Sequence, residues 1–140
     1  MVNVEIVQEW HNLSQSDKMR KKRKENSLFY VAILQKHYNR YLKIGTTERT
    51  IKERFSQKDY QEYTNIKILY VVELNSKISC YHVEDLTRSA IRELKGMTFV
   101  KNDRFKYFQL PEQIPILINL DKKPYYISTA SPKKTCYKRG

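Results

Sequence analysis

The apolar and polar positions of this chain fall into short runs with clear periods. From Leu28 to Leu34 every residue except Tyr30 is apolar or small. A short run of this kind, followed by polar residues, predicts a central strand buried on both faces. Gln35 to Arg40 reads as a loop, and Tyr41 to Thr46 as the partner strand of an antiparallel hairpin. Alternation along that partner sets Tyr41 and Lys43 on one face and Leu42 and Ile44 on the other. Gly45 falls where the backbone turns tightly or lets a ligand approach.

Thr50-Ile51-Lys52-Glu53 is a capping box, with a threonine and a glutamate three residues apart trading hydrogen bonds with each other's backbone N–H. It predicts a helix from Ile51, with Ile51 and Phe55 inward at i, i+4 and Arg54 beside that stripe. Residues 56–65 read as a polar loop containing Tyr60 and Tyr63, and Ile66 to Leu74 as a third strand. A longer helix, capped by Ser76 or Ser79, runs to about Leu94, with Val83, Leu86, Thr87, Ala90, Ile91 and Leu94 as its core stripe. At 100° per residue Glu84 falls at the edge of that stripe, level with Cys80 and near Arg88, while Asp85 points outward. Gly96 ends the helix, and Arg104 to Leu110 alternates like an edge strand. Pro111 then opens a last helix whose face is Ile114, Leu117, Ile118 and Leu120.

The ends are less periodic. In residues 2–16 the Val2, Val4, Ile6 alternation predicts an extended arm and the Ile6, Trp10, Leu13 spacing a helix, with the helix preferred. A basic run, Lys-Met-Arg-Lys-Lys-Arg-Lys, covers residues 18–24, and residues 121–140 read as a flexible basic tail. The expected organisation is an N-terminal helix and basic arm over 1–27, one domain over 28–120, and the tail over 121–140.

Composition narrows the function. The formal net charge is +12, and the surplus is spread over the middle of the chain as well as its ends. A polyanionic partner is the first expectation, because Lys and Arg that neutralise phosphates release counterions. No apolar run reaches the roughly 18 residues of a membrane span. The first residues contain no apolar segment of secretory type, which predicts an intracellular, cytoplasmic protein, or a nuclear one if the 18–24 run is an address. Two cysteines without a Cys-x-x-Cys pair do not predict structural zinc. Three glycines, at 45, 96 and 140, make no Gly-rich phosphate loop.

What remains with chemical character is Tyr30 and Lys43 on the hairpin, Arg54 on the next helix and Glu84 on the one after. The set suits phosphodiester cleavage. A carboxylate-bound divalent metal acts as Lewis acid, an arginine stabilises the added negative charge, and a tyrosine whose phenol a nearby lysine acidifies serves as base. Arg49, Lys52 and Lys58 around the capped helix, with Lys21, Lys22 and Arg23, are candidate nucleic-acid contacts. Tyr38, Tyr41, Tyr60, Tyr63, Tyr125 and Tyr126 are candidates for stacking on unpaired bases.

Leu28-Phe29-Tyr30 followed by Val-Ala-Ile, then Leu42-Lys43-Ile44-Gly45, Arg54 and Glu84, resembles the GIY-YIG nuclease domain. The resemblance is nearest to the branch found in phages and large DNA viruses, whose closing strand Lys106-Tyr107-Phe108-Gln109-Leu110-Pro111 also matches, and it covers about Leu28 to Leu120. It implies an α/β (α+β) domain with a three-stranded antiparallel sheet flanked by helices. It also implies a DNA endonuclease, acting on DNA that includes branched or single-stranded forms, with Tyr30 as general base, Arg54 on the phosphate and Glu84 as ligand of one Mg2+ or Mn2+. Lys43 stands where the family has its second tyrosine, Leu28 replaces the usual first glycine, and Lys58 occupies the place of a frequent histidine. Asn102 is the nearest match to a late asparagine. The Lys43 departure leaves an alternative: a catalytically impaired member of the fold that binds nucleic acid or blocks a partner.

Overall fold

Ile6–Trp10 is a strand, β1, where the spacing of Ile6, Trp10 and Leu13 predicts a helix. The reason is tertiary: β1 pairs antiparallel with residues 71–74, far along the chain, and such pairing outweighs a weak local preference. The structure is a computed structural model, and it describes residues 6–10, 27–75, 77–101, 104–118, 124–129 and 136–138. The basic run 18–24, Asn102 and Leu120 lie outside the described residues.

The hairpin is present and somewhat longer than its apolar run. β2 (Ser27–Lys36) pairs with β3 (Asn39–Thr47), with Tyr30 opposite Gly45 and Ala32 opposite Lys43. His37 turns the chain at a left-handed φ of 55°. The capping box forms as expected: Glu53 N–H donates to Thr50 Oγ1 at 3.1 Å and Thr50 N–H to Glu53 Oε1 at 3.4 Å, and α1 spans Ile51–Phe55. A single 3-10 turn, Lys58–Tyr60, leads into β4 (Asn65–Leu74). The long helix α2 spans Lys77–Arg92, with Ser79 Oγ donating to Asn75 Oδ1 at 2.7 Å in its first turn.

After α2 the chain is extended. β5 (Thr98–Phe99) and β6 (Arg104–Lys106) follow, and β6 pairs with Tyr41–Lys43 of β3. The last helix predicted from Pro111 is absent: Gln113–Ile116 is β7, paired with β8 (Tyr125–Ser128) in a small second sheet. Ile114, Pro115 and Ile116 are all buried, so β7 is enclosed on both faces rather than striped at the helical period. Pro115 is tolerated because a two-stranded ladder leaves an open side for a residue without an N–H. The tail is in part structured too, since β9 (Cys136–Lys138) pairs with Asn65–Lys67 of β4.

The main sheet runs β1-β4-β2-β3-β6-β5, with β9 also on β4, seven strands among the described residues. The fold is α+β with a mostly antiparallel sheet, and the expected three strands are only its centre, β4-β2-β3. Its two faces bury separate cores. Phe29, Val31, Leu42, Ile44 and Val72 pack under α2 against Cys80, Val83 and Ile91. Leu28, Tyr30, Ala32 and Leu34 pack on the other face under α1, against Ile51, Phe55, Tyr60 and Tyr63.

Candidate active site

Tyr30 points to the α1 face because strand alternation groups it with Leu28 and Ala32. Opposite it, Gly45 leaves room for the ring. A Cβ built on Gly45 would stand 2.5 Å from the Tyr30 hydroxyl and 2.6 Å from its Cζ. Here the glycine serves a close approach of a side chain, not a turn. The ring is closed in by Phe55, edge-on at 5.1 Å, and has no solvent exposure.

The hydroxyl of Tyr30 meets that of Tyr60 at 2.8 Å. Arg54 joins both. Its positive charge acts on the Tyr30 hydroxyl, and its guanidinium lies over the Tyr60 ring at 4.7 Å and donates to Gln57 Oε1 and Asp59 Oδ2, the latter at 3.2 Å. Burial pushes the Tyr30 phenol above its ordinary value, Arg54 and the Tyr60 hydroxyl draw it back, and the Glu84 carboxylate adds to the rise. The net is upward. The sequence assigns a lowering to Lys43; the cation that pulls in that direction is Arg54, and burial outweighs it. The Tyr60 phenol is raised as well, by burial first and by its neighbour Tyr30 next.

In front of this pair opens a cleft of about 710 Å3. Lys43, Arg54, Lys58, Lys101 and Arg104 supply its cations, Asp59 and Glu62 its acids, and Tyr60 and Tyr63 its aromatic wall. Lys43 is buried at 8% exposure and sits opposite Arg104 on neighbouring strands. Two like charges placed side by side repel and make a positive spot suited to a phosphate. Arg104 donates to the Tyr63 hydroxyl and reaches Glu62 at 3.5 Å.

Of the sequence-predicted set, Lys43, Arg54 and Lys58 line one cleft, and Tyr30 stands directly behind it, joined through Arg54 and Tyr60. Glu84 stands outside that lining. It projects from α2, on the opposite face, with its side chain 12% exposed and Arg88 at 3.4 Å, yet its charge acts on Tyr30. β6 pairs with β3 only as far as Lys43, so around Gly45 no strand among the described residues pairs with the outer edge of β3. Arg49 is exposed in the loop between β3 and α1, its N–H bonded to Thr47 Oγ1 at 3.0 Å. Lys21, Lys22, Arg23 and the side chain of Lys52 lie outside the described residues.

Tyr60, Tyr63 and Arg104 are the residues that sequence reasoning placed wrongly or missed. Tyr60 and Tyr63, at 3% and 2% exposure, are wall rather than open stacking surfaces, because they pack on Phe55 and Tyr41. A tyrosine six residues after Arg54, past one helical turn and a 3-10 turn, was the signal available for Tyr60. Arg104 comes to Lys43 through strand pairing alone. No group of three or more His, Cys, Asp or Glu side chains able to hold a metal ion occurs among the described residues. Glu84 fits a metal only in the manner of Mg2+, which keeps waters and takes one carboxylate with substrate phosphate oxygens, and Arg88 must then share it.

An α+β domain with a basic cleft on one face of a mostly antiparallel sheet is thus the class of protein. The chain belongs to the T5orf172 domain family, whose profile matches residues 27–114. This is a phage-associated domain related to nuclease-like folds, compatible with nuclease or DNA-binding roles. No curated protein and no solved structure matches the chain.

Proposed function

We propose that the protein is a DNA endonuclease of GIY-YIG type that hydrolyses phosphodiester bonds in the cleft between β3, α1 and the 3-10 turn. The observation that carries this reading is the joining of Tyr30, Tyr60 and Arg54 at the cleft wall. A phosphate fits against Arg54, with Lys43 and Arg104 on adjacent strands taking its remaining charge. Tyr60 lines the cleft and Tyr30 lies behind it. With Tyr30 ionised, Tyr60 hands it a proton and takes one from the attacking water, so both phenols end neutral and the negative charge passes to the phosphate held by Arg54, while the P–O bond to the leaving oxygen breaks and that oxygen takes a proton from solvent. Burial holds Tyr30 neutral in the free protein, and its ionisation belongs to the loaded cleft. Glu84 would be the residue to hold Mg2+ or Mn2+, and the ion would supply Lewis-acid charge to the phosphate.

The test is nicking of supercoiled and branched DNA with Mg2+ or Mn2+. Wild type cuts; Tyr30→Phe and Glu84→Ala do not. Equal cutting by all three sinks the site assignment.

A second reading, a fold kept for nucleic-acid binding or for blocking a partner, is favoured by the full burial of Tyr30 with its raised phenol and by Lys43 in the second tyrosine's place. Wild type that binds these DNAs and leaves them intact with either metal decides for it.

A further inference from the structure

The hairpin end of the sheet holds another cavity, of about 380 Å3, on the face opposite the cleft. Ile33, which packs with the α2 core, forms its floor together with Tyr107 and Leu110. Strand register sets the rim on the same face: Gln35 lies two residues beyond Ile33, Arg40 and Asn65 pair with Gln35, and Lys67 pairs with Ile33.

The lining has a definite chemistry. Its charged residues are Arg40 and Lys67, both cationic, both exposed, and neither in an ion pair among the described residues. Gln35, Asn65 and Gln109 bring side-chain amides. At the mouth stands Phe108 with 96% of its surface in water. A phenyl ring left this bare beside an apolar floor is an open stacking face. Arg40, which lines the cavity, also acts on the buried Tyr107 hydroxyl, opposing the rise that burial causes. At the tip of the same hairpin Tyr38 is fully exposed.

Cations for phosphate, an aromatic face for a base and amides for base edges are the three things an unpaired nucleotide requires. An acidic peptide would use the cations and leave the ring and amides idle, while a duplex offers no free base to stack. We propose that this cavity binds a nucleotide of single-stranded nucleic acid, its base on Phe108 and its phosphates on Arg40 and Lys67. The site is separate from the cleft and does not depend on whether the cleft cuts.

Fluorescence anisotropy with a labelled oligothymidylate of about ten nucleotides, within the range one small binding fold covers, tests it with the full chain and without divalent metal. Phe108→Ala is expected to weaken binding about tenfold, the loss of one good stack. An oligomer of equal phosphate count without bases should bind wild type as weakly as the intact one binds Phe108→Ala, and should not distinguish the two proteins. Arg40→Ala should weaken both oligomers and flatten the salt dependence. Phe108 and Arg40 are exposed, so these variants fold. Equal binding of both oligomers by wild type and Phe108→Ala overturns the proposal. So does an oligoglutamate of equal charge that competes as well as the oligonucleotide, which assigns the cavity to acidic peptides. A free nucleoside monophosphate that displaces the strand at equal nucleotide concentration overturns the strand in favour of a mononucleotide.

Discussion

Tyr30 and Gly45 face each other across the β2–β3 ladder, and the phenol occupies the space that any side chain at position 45 would need. Gly45→Ala therefore drives a methyl group into a ring held between Phe55 and Tyr60. The expected cost is about 1–3 kcal/mol of stability, the usual range for overpacking, with loss of the Tyr30–Tyr60 contact. Urea unfolding gives the stability. A variant as stable as wild type would mean the ring moves aside freely.

Removing one hydroxyl of the phenol pair separates its members. Tyr60→Phe removes one hydrogen bond and leaves the Tyr30 hydroxyl beside the Arg54 charge, so the expected stability loss is about 1 kcal/mol. Cleavage should fall about 10²–10⁴-fold, the span of general acid–base catalysis, with DNA binding preserved. Tyr30→Phe should lose at least as much. If Tyr60→Phe cuts at the wild-type rate while Tyr30→Phe is dead, Tyr30 acts without its neighbour and only the relay is wrong.

The raised phenols set the alkaline limit of the fold. Tyr30, Tyr60 and Tyr107 all have folded values above the ordinary 10.0, and Cys80 rises from 9.0 to about 12 as burial, then Glu84, disfavour its thiolate. In each case the folded state keeps a proton that the unfolded state gives up. Stability is thus unaffected below about pH 9 and falls as pH rises through the unfolded values toward the folded ones. Circular dichroism and the phenolate absorbance followed together should show these tyrosines ionising only as the protein unfolds. A full phenolate signal from a still-folded protein at pH 11 would contradict their burial.

Asp59 and Glu62 act as internal counterions of the cleft. Asp59 holds Arg54 at 3.2 Å, and Glu62 reaches both Lys36 at 3.3 Å and Arg104 at 3.5 Å. A phosphate entering the cleft competes with them. Asp59→Asn should tighten DNA binding and steepen its salt dependence by about 0.9 in the log–log slope, one more phosphate neutralised. Binding titrations across a salt series would refute this if slope and affinity both stay at wild-type values.

The centre of the fold was legible because its signals are local and agree. The apolar run of β2, the alternation of β3, the capping box at Thr50 and the stripe of α2 each point to the element that forms. The periphery was not legible, since β1, β7, β8 and β9 are short strands fixed by distant partners. Ile114, Leu117 and Ile118 fit a helical face, and only the pairing with β8 shows that the segment from Gln113 to Ile116 is a strand. In the candidate site the same rule holds. Lys43, Arg54 and Lys58 reach one cleft through neighbouring elements, whereas Tyr60 and Arg104 arrive through a 3-10 turn and a strand pairing that sequence spacing does not encode.

β1 and β9 lie end to end on β4, one beside residues 71–74 and the other beside residues 65–67. Both ladders close loops of some sixty residues or more, so they form after the hairpin and α2 have brought β4 into place. Folding should then proceed in two stages, a fast central condensation and a slower sealing of one sheet border by both chain ends. Until that border is sealed, the exposed backbone of β4 is a template on which a second chain can add a strand.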